Sequence, residues 1–226
     1  MLDLFVRGHS FTILGDLSQG IHAYKGVHAW EEMSSLFTPE HTAYFALTRS
    51  YRSTMEIIEF ANGILQKGVQ SELLAVPVFR SGNPVRMIAY GEGEDARMRD
   101  LMEGMRRLTG GEYRTVAILT RTLHDAKIIF EQLQPSMPDL HLIDGGKKAY
   151  EGGLSVLPVY LSKGLEFDAV IVADADLGHY GDKAWDARLM YVGCTRALHE
   201  LWIMHHEPVP EYLLHSQQDI VVSGWK

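Results

Sequence analysis

Two arginines, a glutamine and a glutamate stand beside turn signals in this sequence, and those residue types are suited to work on phosphate. Gln19 follows the run Phe11–Asp16, which reads as a strand entering a turn. An uncharged amide there can orient a water or read a terminal phosphate, although taken alone it is an ordinary surface turn residue. Arg52 follows Tyr51 just ahead of a helical pattern, and Arg196 sits in Thr195-Arg196-Ala197. Paired guanidinium groups neutralise charge spread over a transferring phosphoryl group, whereas lone arginines are mostly solvated or paired with acids. Glu166 closes the stretch Lys163-Gly164-Leu165-Glu166 ahead of a strongly strand-like segment. A carboxylate at that point can accept hydrogen bonds from sugar hydroxyls, and the glycine lets backbone approach a phosphate. The plainer alternative for Glu166 is a helix-terminal charge.

A phosphate cradle is missing from the same sequence. The pattern G-x-x-x-x-G-K-[ST] exposes backbone N–H groups and a lysine to the β- and γ-phosphates, and it occurs nowhere in the 226 residues. Gly145-Gly146-Lys147-Lys148 lacks the first glycine and the hydroxyl, and reads as a turn. No metal site is expected. Asp174 and Asp176 fall at a strand end and are assigned a structural or loop role, while adjacent His205 and His206 on a strand face opposite ways. Arg49 and Arg188 read as structural, and Cys194 as a small buried hydrophobe.

Composition sets wider bounds. The chain is 46% hydrophobic, enough for one large core, and its formal net charge of −8 argues against a broad electrostatic grip on nucleic acid. A narrow groove made by local patches is compatible with that charge. One cysteine precludes an internal disulfide, and neither a membrane span nor a signal peptide is visible, so the expected compartment is cytoplasmic.

Short β-branched runs alternate with helical patterns along the chain. Strands are expected at Val85–Tyr90, Thr115–Arg121, Leu154–Val159, Asp168–Asp176 and Glu200–His206. Helices are expected at Thr54–Gln66, with Ser53 or Thr54 as N-cap, and at Asp95–Leu108, Leu123–Leu133 and Asp186–Ala197. The alternation implies βαβ crossovers, hence an α/β fold with a doubly wound, mostly parallel sheet covered by helices on both faces. The apolar run Ala169–Ala173 should be a central strand. After Pro208 the periodicity is lost, and a loosely attached end or the beginning of a further element is expected.

Four segments, in order, are GDLSQGIHAYKG, LTRSYRSTMEIIEFAN, LSKGLEFDAVIVADA and RLMYVGCTRALHELWI. Together they resemble motifs III to VI of superfamily-one helicases of the UvrD/Rep type, from Thr12 to about Met204. The resemblance implies a RecA-like domain of an ATP-driven motor that binds single-stranded DNA. It makes Gln19 the γ-phosphate sensor, Arg52 and Arg196 the arginines that reach the γ-phosphate, Tyr51 the residue packing on adenine, and Glu166 the ribose contact, with Gly164 beside the phosphates. His22, Tyr24 and Lys25 then contact the strand, with Tyr24 stacking on a base or, alternatively, packing at a domain boundary. It also implies that motifs I and II, which hold ATP and Mg2+, lie on a preceding RecA-like domain. Residues 1–30 would be the end of that domain plus a linker, 31–207 the second RecA-like domain, and 208–226 a tail. The chain alone would then turn over no ATP.

Two departures refine the resemblance. The family's Thr-x-His ahead of the lysine is replaced by Pro158 and Tyr160, so that strand contact would rest on stacking by Tyr160. The stretch from Asn62 to Leu154 is too short for the accessory domain that UvrD and Rep insert there. Both features draw the sequence toward the helicase IV and HelD-like branch. In HelD-like members the same machinery remodels RNA polymerase, which makes RNA polymerase an alternative partner. A non-catalytic RecA-like binding module is the plainest alternative.

Overall fold

The run Ala169–Ala173, apolar at every position, is buried at every position. It belongs to a sheet seen in a computed structural model that describes residues 12–21, 30–71, 73–93, 95–146 and 150–214, with the backbone of Ile220–Val222. In chain order the elements are α1 (Trp30–Ser34), β1 (Arg49–Ser50), α2 (Met55–Gly68), β2 (Val76–Pro77) and β3 (Val85–Ala89). Then come α3 (Ala96–Thr109), β4 (Val116–Thr120), α4 (Leu123–Leu133), β5 (Leu140–Leu142) and β6 (Leu154–Pro158). The last are β7 (Phe167–Val172), α5 (Ala184–Cys194), β8 (Ala197–His205) and β9 (Ile220–Val222).

Seven strands form one sheet in the order β5-β6-β4-β7-β8-β3-β9, and every pairing in it is parallel. β7 is the middle strand, as its continuous apolar sequence requires of a strand covered on both faces. Alternate residues supply two cores. Ala117, Leu119, Val170, Val172, Leu201 and Ile203 pack with α2 and α5 on one face. Val116, Ile118, Ala169, Ile171, Trp202 and Met204 pack with α3 and α4 on the other. A register shift against β8 between Phe167 and Ala169 breaks the parity, and Phe167 joins the α2/α5 core. This is the doubly wound, RecA-like α/β arrangement expected from the sequence.

The helices follow their apolar spacing. Ile57, Phe60, Ala61, Ile64 and Leu65 bury one stripe of α2. α4 opens on a capping box in which Thr122 and Asp125 exchange bonds with each other's backbone N–H. The N-cap of α2 is one of the two residues expected there. Thr54 occupies the N-cap position without a side-chain capping bond, and the Ser53 hydroxyl donates instead to the Ala197 carbonyl at 2.6 Å.

Two expectations are corrected. Residues 12–16 form no strand, because Asp16 turns the chain into a 3-10 turn at Leu17–Gln19 instead of letting it pair. The residues just after Pro208 are not loose. Val209, Tyr212 and Leu213 enter the α2/α5 core, and the Ile220–Val222 backbone adds an edge strand beside β3.

Candidate functional site

β7 and β8 begin side by side, with Phe167 opposite Ala197. Glu166 and Arg196 are the residues immediately before those starts, so the sheet itself carries them to one edge, at the N-terminal ends of the strands. Arg52 comes to the same edge from the segment that leads into α2. Its Nε pairs with Glu166 Oε1 at 2.8 Å, with both side chains nearly half exposed. Gln19 arrives on the 3-10 turn that packs against α5.

Gln19 is held at both ends of its amide. Its Nε2 donates to Asp16 Oδ2 at 2.6 Å, and its Oε1 accepts from Arg196 Nη2 at 3.4 Å. Lys163 Nζ donates to the Gln19 carbonyl at 3.2 Å, tying the turn ahead of β7 to the same point. Four sequence-predicted residues (Gln19, Arg52, Glu166 and Arg196) therefore converge on one site. They come from segments up to 177 residues apart.

Arg196 is the unusual member. It is 2% exposed, and among the described residues its guanidinium meets only neutral acceptors: Val192 O at 3.0 Å, Thr195 Oγ1 at 3.2 Å, Gln19 Oε1 and, more distantly, Leu165 O at 3.5 Å. Among the described residues no carboxylate lies within salt-bridge distance of it. Burial, and then the Arg52 charge, pull its pKa below the ordinary guanidinium value against the opposing pull of Glu166, Tyr191 and Asp16. A buried cation without a counter-ion is costly, and an anion placed beside it would relieve that cost. The site can therefore take an anion between Arg196, Arg52 and Gln19.

Tyr191, on the last turns of α5, borders the same charges. Burial first, then Asp16, push its phenol up to about 12, while Arg196 and Arg52 pull the other way. Sequence reasoning assigned no role to Tyr191, Asp16 or Lys163. Asp16 was signalled by Asp-Leu-Ser-Gln, an N-capping pattern whose side chain accepts from Ser18 N at 2.9 Å. Lys163 gave no signal, because its partner is a backbone oxygen.

The remaining predicted residues lie around this centre or apart from it. Tyr51 is 69% exposed beside Arg52. Gly164 has φ +90 in a turn closed by Leu165 N donating to Ser162 O at 2.9 Å, and nothing lies within 4 Å of where its Cβ would be. The glycine there serves the backbone angle, which type II turns demand at that position. Tyr160 is not brought into the cluster. It stands on the 3-10 turn following β6, whose last residue pairs with the last residue of β4, at the opposite edge of the sheet. His22, Tyr24 and Lys25 lie outside the described residues.

At that opposite edge Asp174 accepts two hydrogen bonds from Arg97 and takes a left-handed φ of 54. Asp176 caps the turn that follows, accepting from Gly178 N and His179 N. Both acids thus have the structural roles expected. A depression of about 910 Å³ also opens there, lined among others by Tyr90, Arg97, His205 and His206.

The family model of the UvrD-like helicase C-terminal domain matches residues 153–204. Over this stretch the chain is similar to that family. The matched stretch contains Lys163, Gly164, Glu166, Tyr191 and Arg196, and also supplies β6, β7, α5 and most of β8. The crystal structure of the C-terminal domain of a possible DNA helicase from Lactobacillus plantarum WCFS1 aligns with 76% of this chain and 98% of its own, at 26% identity and a TM-score of 0.63. The ADP complex of Cas3 from T. fusca aligns with 66% of this chain and 22% of its own, at 15% identity and a TM-score of 0.42. No curated protein matches the chain. Among the described residues no helix is long and apolar enough to cross a membrane.

Proposed function

We propose that this chain is the nucleotide-responsive half of an ATP-dependent DNA helicase or translocase. The observation that carries the reading is the buried Arg196 guanidinium, which among the described residues has neutral acceptors only and stands beside Arg52 and Gln19. Such a centre suits the γ-phosphate, whose charge spreads during transfer and is stabilised by fixed guanidinium groups. In this reading Gln19 senses the γ-phosphate, and Arg52 and Arg196 act on the phosphoryl oxygens. Tyr51 offers its exposed ring to adenine, Glu166 accepts from the ribose, and the Gly164 turn lies against the phosphates. In this reading a preceding RecA-like domain would hold the phosphate cradle and Mg2+. The DNA substrate follows from the helicase relatives. His22, Tyr24, Lys25 and Tyr160 would hold a single strand by stacking and local charge.

Turnover at saturating ATP in the complete motor tests the assignment. Arg52→Ala and Gln19→Ala should each lower it about a hundredfold, while affinity for a fluorescent nucleotide changes far less, because both act on charge that builds in the transition state. Unchanged turnover at saturation in both variants would overturn the reading.

A further inference from the structure

Arg52 and Arg196 can act on one phosphate only if their spacing is fixed, yet they belong to elements far apart in the chain. We propose that Ser53, backed by Arg80, is the positioning residue that sets Arg52 against Arg196; the proposal rests on the nucleotide reading above. Ser53 is 4% exposed, and its hydroxyl donates to the Ala197 carbonyl at 2.6 Å. The bond therefore joins the residue after Arg52 to the residue after Arg196.

The start of β8 explains why this tether is available. The Arg196 carbonyl accepts from Phe167 N at 3.0 Å, on the β7 side. On the other side β3 begins to pair with β8 only at Trp202, which leaves the Ala197 carbonyl beyond that ladder. Ser53 takes it. The hydroxyl lies one residue before the α2 N-cap, where serines commonly satisfy free N–H groups, but it is spent on the neighbouring strand.

A second tether holds the same segment from outside. Arg80 Nη1 donates to the Arg52 carbonyl at 3.1 Å, and the Arg80 carbonyl accepts from Met55 N at 2.9 Å. The other end of the Arg80 guanidinium meets His199 Nδ1 at 2.7 Å. His199 lies on β8, two residues beyond Ala197. Both tethers thus end on β8, and the Arg52 backbone is clamped to the strand whose first residue follows Arg196. Among the described residues the Arg52 side chain itself is held only by its half-exposed pair with Glu166, a contact of the kind that contributes little rigidity. Its aim depends on the backbone clamp.

A double-mutant cycle in the complete motor separates positioning from mere packing. Ser53→Ala should lower turnover at saturating ATP about tenfold, with the KM for ATP moved less than about twofold, since small misplacements of a catalytic group act on the chemical step. In an Arg52→Ala background the same change should cost less than about twofold, because the group it aims is gone. Arg80→Gln, at an exposed position where folding is not at risk, should show the same coupling with a smaller fall of about threefold. Equal losses in both backgrounds, or no loss from either Ser53→Ala or Arg80→Gln, overturn the clamp. Wild-type turnover in Arg52→Ala alone overturns the nucleotide reading, and the clamp with it.

Discussion

Arg97 and Arg196 sit at opposite edges of one sheet, and the fold treats them in opposite ways. Arg97, on the first turn of α3, makes a two-pronged pair with Asp174 at the C-terminal end of β7. Burial pulls its pKa down, but the bonds and charge of Asp174 outweigh this and hold it above the ordinary guanidinium value. Tyr90 completes the group, its hydroxyl oxygen accepting from Asp174 N at 3.2 Å. Arg196 is more deeply buried, has no such acid, and is shifted the other way. A charge whose counter-ion is built into the chain is finished and structural. One whose counter-ion would come from outside is, in the proposed reading, a binding group. Local sequence does not separate the two, since Ala-Arg-Met and Thr-Arg-Ala are equally plain.

The sharpest test of this contrast is a pair of alanine variants. In the complete motor Arg196→Ala should lower ATP turnover by about 10³-fold or more. Arg97→Ala should leave turnover per folded molecule near wild type and reduce stability in chemical denaturation by about 3 kcal/mol, because it strands the buried Asp174 carboxylate. The reverse pattern would place the working arginine at the wrong edge.

Glu166→Ala should have an intermediate effect. A ribose contact is made equally in ground and transition states, so the KM for ATP should rise several-fold, about tenfold at most, with the maximal rate nearly intact. The lost pair with Arg52 should add little, as both side chains are well exposed. Collapse of the rate at saturating ATP would make Glu166 a partner in the chemistry.

The smallest expected effects concern the strand. Tyr24→Ala should weaken single-strand binding by the worth of one stacked base, about 1–3 kcal/mol, without changing its salt dependence. Lys25→Ala should lower the slope of affinity against salt by about one counterion. Titrations of an oligonucleotide at several ionic strengths distinguish the two, and no change in either would remove this segment from the groove.

The sheet was legible because its strands are apolar on both faces. Ala169–Ala173 was expected as a central strand and is buried throughout, and Leu123–Leu133 forms the helix expected with those bounds. The short elements were not legible. β1 and β2 are two residues each and exist through pairing with one another, and β5 has three residues at an edge. Phe11–Asp16 looked like a strand by composition, but Asp16 spends its carboxylate on Ser18 and Gln19 and turns the chain. At the site, Gln19, Arg52, Glu166 and Arg196 could be named from motif order, whereas their convergence depends on the β7–β8 register. Ser53 or Thr54 was read as the helix cap; Thr54 holds that position, and nothing local reveals that Ser53 meets the Ala197 carbonyl instead.

The crossover between β6 and β7 has a mechanical consequence. Eight residues, 159–166, connect the end of one strand to the start of another parallel strand, so they must run back along the sheet. That distance is about 20 Å at roughly 3.3 Å per strand residue, and the fully stretched segment reaches only about 30 Å. A 3-10 turn and the Gly164 turn consume much of the difference. Little slack remains. Tyr160 sits near one end of this short tie and Glu166 at the other, so a pull on one edge of the domain reaches the opposite edge through a link too short to absorb it.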